Sequence, residues 1–69
     1  MYDITKIGRN IAAERVRRGL TQEKLASIIG VSECALANWE RGITYPSAPN
    51  LCAVSDYFGI SLEELVPKK

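Results

Sequence analysis

The 69-residue chain contains no histidine, and its two cysteines, Cys34 and Cys52, are not spaced as a CxxC pair. The usual zinc-ligand patterns are therefore missing, and no metal site is expected. The thiols are expected to be reduced, which suits a cytoplasmic setting. No apolar run approaches the ~20 residues that a membrane span requires. The N-terminus also lacks the charged-then-apolar pattern of a secretion signal. No membrane association is expected. A glycine-rich phosphate loop and a clustered carboxylate pair are missing too. With no histidine either, the chain offers no set of groups for catalysis, and neither a cofactor nor a small-molecule substrate is expected. The net charge is only +1, so no general basic excess marks a nucleic-acid partner.

The residues present describe a folded domain. Hydrophobic residues make up 46% of the chain and charged ones 25%, which excludes a disordered chain. The length allows one domain over residues 1–69, with a modest core. The charges are unevenly spread. Lys6, Arg9, Arg15, Arg17, Arg18, Lys24 and Arg41 lie in the first two-thirds, whereas Asp56, Glu63 and Glu64 lie near the end. One face can then be basic while another is acidic, and the face decides what is steered to it.

Glycine and proline divide the chain into five segments, none of which reads as a strand. Gly19, Gly30, Gly42 and Gly59 each follow a helical pattern, and Pro46 and Pro67 mark further breaks. The first segment runs from about Thr5 to Arg18, with Ile4, Ile7, Ile11 and Arg15 along one face. Thr21 is an N-cap candidate for the second, which carries Leu25, Ala26 and Ile28 or Ile29 as its apolar stripe. Ser32 is the candidate for the third, which turns Ala35, Leu36 and Trp39 inward. Only Gly30-Val31 separates the two, and so short a link forces a sharp turn. A fourth helix is expected after Ser47, with Leu51, Val54 and Phe58 as its apolar face. The fifth is short, and Ser61-Leu62-Glu63-Glu64 forms a capping box. Met1 to Asp3 and Lys68-Lys69 are expected to fray. The architecture predicted is all-α, a compact orthogonal bundle of five short helices with a helix-turn-helix core at about 21–42.

The run Leu20-Thr21-Gln22-Glu23-Lys24-Leu25-Ala26, then Gly30-Val31-Ser32, then Trp39-Glu40-Arg41-Gly42 and Pro46-Ser47, resembles the Cro/repressor (XRE-type) helix-turn-helix family. The resemblance covers about residues 7–66 and implies a lambda-repressor-like domain whose third helix lies in the major groove. It implies that Gln22 contacts a phosphate and buttresses the third helix. Ser32, Glu33, Cys34, Ala35 and Asn38 match positions that touch bases or nearby phosphates. Arg41, Thr44 and Tyr45 match a loop that grips the backbone, and Arg15 and Glu40 match a structural salt bridge.

Elementary chemistry supports several of these roles independently. A helix N-terminus offers free amides and partial positive charge, so the start of the second helix suits a phosphate. Lys24, one turn further on, is an additional phosphate candidate. Asn38 can donate and accept together, as adenine requires, and Glu33 can accept from cytosine N4. Cys34 and Ala35 offer only apolar contact, for example with a thymine methyl. Arg9, Arg17 and Arg18 are open between solvated charge and phosphate contact. Tyr45 is open between phosphate contact, loop packing and exposure. Glu14 can pair with Arg17 or Arg18 along its helix. Trp39 is expected in the core, because duplex DNA offers an isolated indole no unstacked base.

The function expected is a sequence-specific, non-catalytic regulator of transcription. It is expected to act in the cytoplasm of a bacterium or through a phage, as a repressor binding double-stranded DNA. Ile60, Leu62, Leu65 and Val66 are the apolar residues left over for a homodimer interface, which would match an inverted-repeat operator. The alternative is a protein-binding module, such as the antitoxin of a toxin–antitoxin pair, whose protein partner would copurify with it.

Overall fold

Four hydroxyl side chains start four of the helices. In the computed structural model, which describes residues 1–68, Thr21, Ser32, Ser47 and Ser61 accept hydrogen bonds from the backbone N–H groups of Lys24, Ala35, Asn50 and Glu64. Each bond satisfies a first-turn donor that has no partner inside its helix. The helices that follow are α2 (Gln22–Ile29), α3 (Glu33–Arg41), α4 (Ala48–Phe58) and α5 (Leu62–Leu65). At Ser61 the cap is reciprocal, because Glu64 also accepts from the Ser61 N–H.

The start of the chain differs from the periodicity reading. Asp3 caps a short 3-10 turn over Ile4–Lys6, and α1 begins only at Ile7, running to Arg17. The tighter turn rotates Ile4 out of the stripe, leaving it 49% exposed. The end near Met1 does not fray as expected. Tyr2 forms an isolated antiparallel bridge with Lys68, and the Asp3 N–H donates to the Pro67 carbonyl at 2.7 Å. Among the described residues no strand forms beyond that bridge. The expectation for Lys69 lies outside them.

The core gathers one or two residues from each helix: Ile7 and Ile11 of α1, Leu25 of α2, Leu36 and Trp39 of α3, Val54 and Phe58 of α4, and Leu65 of α5. The paired positions are three or four apart within a helix, so each helix buries a single face. Burying a side chain of this size contributes about 1.5–3 kcal/mol against leaving it in water. Helix α3 lies against both α1 and α2. The α1 contact is close because Gly8 faces the end of α3, where an added Cβ would lie 1.9 Å from the Trp39 carbonyl oxygen. No larger residue fits there without moving a backbone, and the sequence reading did not single this glycine out.

Among the described residues no helix is long and apolar enough to cross a membrane.

Candidate nucleic-acid interface

The geometry of the interface begins at the turn between α2 and α3. Gly30 adopts φ +89, a left-handed conformation that side chains disfavour. This lets the N–H groups of both Gly30 and Val31 donate to the Ala26 carbonyl, at 2.8 and 3.0 Å. Val31 packs against the core, and Ser32 then starts α3. The turn is thus held by its own hydrogen bonds and by burial.

With Leu36 and Trp39 buried, helical geometry decides which α3 residues point away. At about 100° per residue, the opposite stripe is Cys34, Ala37, Asn38 and Arg41. Cys34 and Arg41 are exposed, and Ala37 and Asn38 are half-buried. Glu33 is exposed on the flank of this stripe. Ser32 and Ala35 are placed differently from the other base-contact candidates. The Ser32 hydroxyl accepts from the Ala35 N–H at 3.0 Å, and Ala35 is half-buried on the opposite flank. Ala37 was not among the base-contact candidates, and a small apolar residue in mid-helix carries no signal that would have added it. The Asn38 amide donates to the Cys34 sulfur at 3.9 Å, one turn back.

The residues considered for phosphate surround this stripe. Lys24 and Arg41 are exposed and make no ion pair among the described residues. Thr44 is exposed too, and its N–H donates to the Asn38 carbonyl at 3.4 Å. Gln22 is half-buried, and its amide donates to Glu40 Oε1 at 3.0 Å. The ring of Tyr45 lines an apolar groove.

Two ionic clusters hold the helices beneath the stripe. Arg15 Nε and Nη2 donate to the two Glu40 carboxylate oxygens at 2.8 and 3.0 Å, and Nη1 donates to the Leu20 carbonyl at 2.8 Å. This bidentate fork is the strong form of the pair. It joins α1, the turn before α2, and α3, with Gln22 as the third donor. The hydrogen bonds that Arg15 donates to the Glu40 carboxylate raise its pKa above the ordinary value, so the guanidinium stays charged. The side chains are only 16% and 7% exposed. In the second cluster, buried Glu14 pairs with both Arg17 and Arg18. Arg18 reaches further, donating to the Phe58 carbonyl at 2.7 Å and lying over the Phe58 ring. Arg18 therefore ties α1 to the end of α4, and neither arginine is a free cation.

The residues set aside for a dimer interface do not share one exposed face. Leu65 is fully buried and Val66 is 8% exposed, both inside the domain's own core. Leu65 is therefore not open to a second chain, contrary to the expectation, because α5 is one turn long and this residue anchors it in the core. Ile60 borders a small polar hollow with Asn10 and Glu64. Leu62 instead borders an open apolar groove of about 480 Å³, together with Tyr2, Ile4, Tyr45 and Leu51, and Val66 forms part of its wall.

Comparison with known proteins agrees with this architecture. The helix-turn-helix family pattern matches residues 11–65. YazB of Bacillus subtilis (strain 168), an HTH-type transcriptional regulator, is 42% identical over 60 residues, which are 87% of this chain and 87% of YazB. The HTH-type transcriptional activator BcrR of Enterococcus faecalis is 38% identical over 52 residues, 75% of this chain. The match spans only 26% of BcrR's length. The crystal structure of the P22 c2 repressor in complex with synthetic operator 9T superposes with a TM-score of 0.84 at 33% identity, covering 91% of this chain and 96% of that one. The matched pattern covers most of the chain, from α1 through α5, and the chain belongs to the XRE-type helix-turn-helix family.

Proposed function

We propose that this chain is a sequence-specific, DNA-binding regulator of transcription that lays the outward stripe of α3 in the major groove. The observation that carries the proposal is the outward stripe itself, opposite Leu36 and Trp39, with Arg41 at its end and Lys24 on the adjoining helix both exposed and without an ion pair among the described residues. Its family members and relatives are regulators of transcription, not enzymes. In this reading Glu33, Cys34 and Asn38 meet base edges, with Ser32 and Ala35 beside them. Arg41, Lys24 and Thr44 meet phosphates, as do the amides at the start of α2. Gln22 bonds Glu40 and fixes α3 while its own backbone faces the phosphate. The setting is bacterial or phage-encoded and cytoplasmic.

A repressor is the reading that occupancy alone supports, because a domain seated on an operator excludes other proteins from it. The P22 relative superposed above is named a repressor. The domain acts as a homodimer on an inverted repeat, with half-sites about one helical turn apart. What supports the dimer is the open apolar groove, with Tyr2, Ile4, Tyr45 and Leu62 each between 43% and 51% exposed around it. Patches of this kind mark interaction sites.

Selection from a random duplex library at near-physiological salt tests the proposal. A two-fold-symmetric enriched site is expected. Arg41→Ala weakens binding to all duplexes alike and lowers the salt slope by about one ion, read from log K against log salt concentration. No enrichment, or a salt slope unchanged by Arg41→Ala, counts against it. Leu62→Asp keeps the helical circular dichroism of the parent but loses preference for two half-sites over one. Unchanged preference would remove the groove from the dimer. Copurification of a second, different protein with no enriched duplex favours the antitoxin reading instead.

A further inference from the structure

We infer that the half-site read by this chain is rich in A·T pairs, with Asn38 on an adenine and Cys34 and Ala37 against thymine methyl groups. The inference rests on the major-groove placement proposed above and names the class of sequence that placement selects.

The argument starts from what the stripe can and cannot bond. Guanine is read best by a cation that donates to both O6 and N7. Helix α3 carries one cation, Arg41, and it is the last residue of the helix. Cys34 lies seven residues earlier, roughly 10 Å along the axis at 1.5 Å per residue. The N-terminal part of a recognition helix is the part that meets base edges. That part has no cation to bond both guanine acceptors at once. Cytosine offers a donor at N4 and needs an acceptor, and the carboxylate of Glu33 is on the flank of the stripe rather than its centre.

The centre holds Cys34, Ala37 and Asn38. A thiol and a methyl are small, and both are apolar enough to pack on the C5-methyl group of thymine. Asn38 carries two N–H donors and one acceptor oxygen. One donor is directed to the Cys34 sulfur at 3.9 Å. The other donor and the oxygen stay free, and together they match adenine N7 and N6. Cys34 therefore has two jobs. It fills the space against a methyl, and it positions the amide of Asn38.

Base analogues in the enriched duplex test this without altering the protein. Replacing thymine by uracil at the contacted step removes one methyl group, and affinity falls about fourfold. Replacing adenine by 7-deazaadenine removes the N7 acceptor, and affinity falls about tenfold or more. Asn38→Ala makes the protein indifferent to the second change. Cys34→Ser keeps a hydrogen-bond partner for Asn38 and removes the thiol contact, so indifference to uracil appears at the step that Cys34 meets while the 7-deazaadenine effect persists. Enriched half-sites centred on G·C pairs, or equal affinity for thymine and uracil duplexes, overturn the inference and leave the regulator reading standing. No enriched duplex at all overturns both.

Discussion

Glu40→Ala lowers the stability of the domain by about 3–5 kcal/mol. The carboxylate is 7% exposed and receives three hydrogen bonds, two from Arg15 and one from Gln22. Its removal leaves a charged guanidinium, 16% exposed, with only the Leu20 carbonyl as a partner. Natural domains hold about 5–15 kcal/mol in total, so the variant loses a large share of its stability. Replacing both partners, as Arg15→Met with Glu40→Leu, removes the stranded charge along with the pair. The double variant is expected to recover most of the loss, because apolar side chains of similar volume often replace a buried pair without penalty. Urea unfolding of Arg15→Met, Glu40→Leu and the double variant gives the coupling directly. If each single change costs less than about 0.5 kcal/mol, the range of ordinary surface substitutions, the cluster does not hold α3 to α1.

Gly8→Ala is the second large effect, and its sign is informative. In a helix interior, alanine is favoured over glycine by about 1 kcal/mol. An exposed position would therefore gain stability. Here the new Cβ meets the Trp39 carbonyl oxygen at 1.9 Å, with the Glu40 Cα also within 3.0 Å. Both belong to the backbone of α3, so no side chain can swing aside. Overpacking of this kind typically costs 1–3 kcal/mol, occasionally more. A backbone clash at 1.9 Å puts the cost at the upper end of that range, so after the alanine gain the net expectation is a loss of about 2 kcal/mol, or a Tm lower by roughly 8–16 °C for a domain of this length. Because α3 must shift to relieve the contact, the folded fraction also binds DNA more weakly than the parent. A Tm equal to or above the parent's would show that α1 and α3 are further apart than described.

The two variants also show what could be read from residues alone. The caps were legible because they are local. Thr21, Ser32, Ser47 and Ser61 each stand directly before a helix, and each bonds an N–H three residues ahead. Trp39 and Leu36 were legible as core because helical spacing orders them. The place of Arg15 beside Glu40 followed from family resemblance, since the partners are 25 residues apart and no local pattern links them. Gly8 carried no signal, because a glycine within a helical stripe looks the same whether it faces solvent or another backbone. Arg18 was hidden for a similar reason. Its carbonyl partner at Phe58 is 40 residues away and belongs to a helix end.

Leu65 and Val66 show the limit for apolar residues. On a one-turn helix, a leucine gives the same pattern whether it enters its own core or a partner's. Packing of α5 on α1 and α4 decides for the core at Leu65. The groove beside it could not be found from spacing, since it joins Tyr2 and Ile4 to Tyr45 and Leu62 from distant parts of the chain. The pairing of Tyr2 with Lys68 was equally nonlocal.

Amide chemical-shift mapping by NMR, with the enriched duplex titrated into the labelled protein, tests the central claim most directly. The account predicts that the largest shifts fall on Gln22 to Lys24, on Ser32 to Arg41 along its outward stripe, and on Thr44. Shifts concentrated instead around Asn10, Ile60 and Glu64, with α3 unchanged, would contradict it.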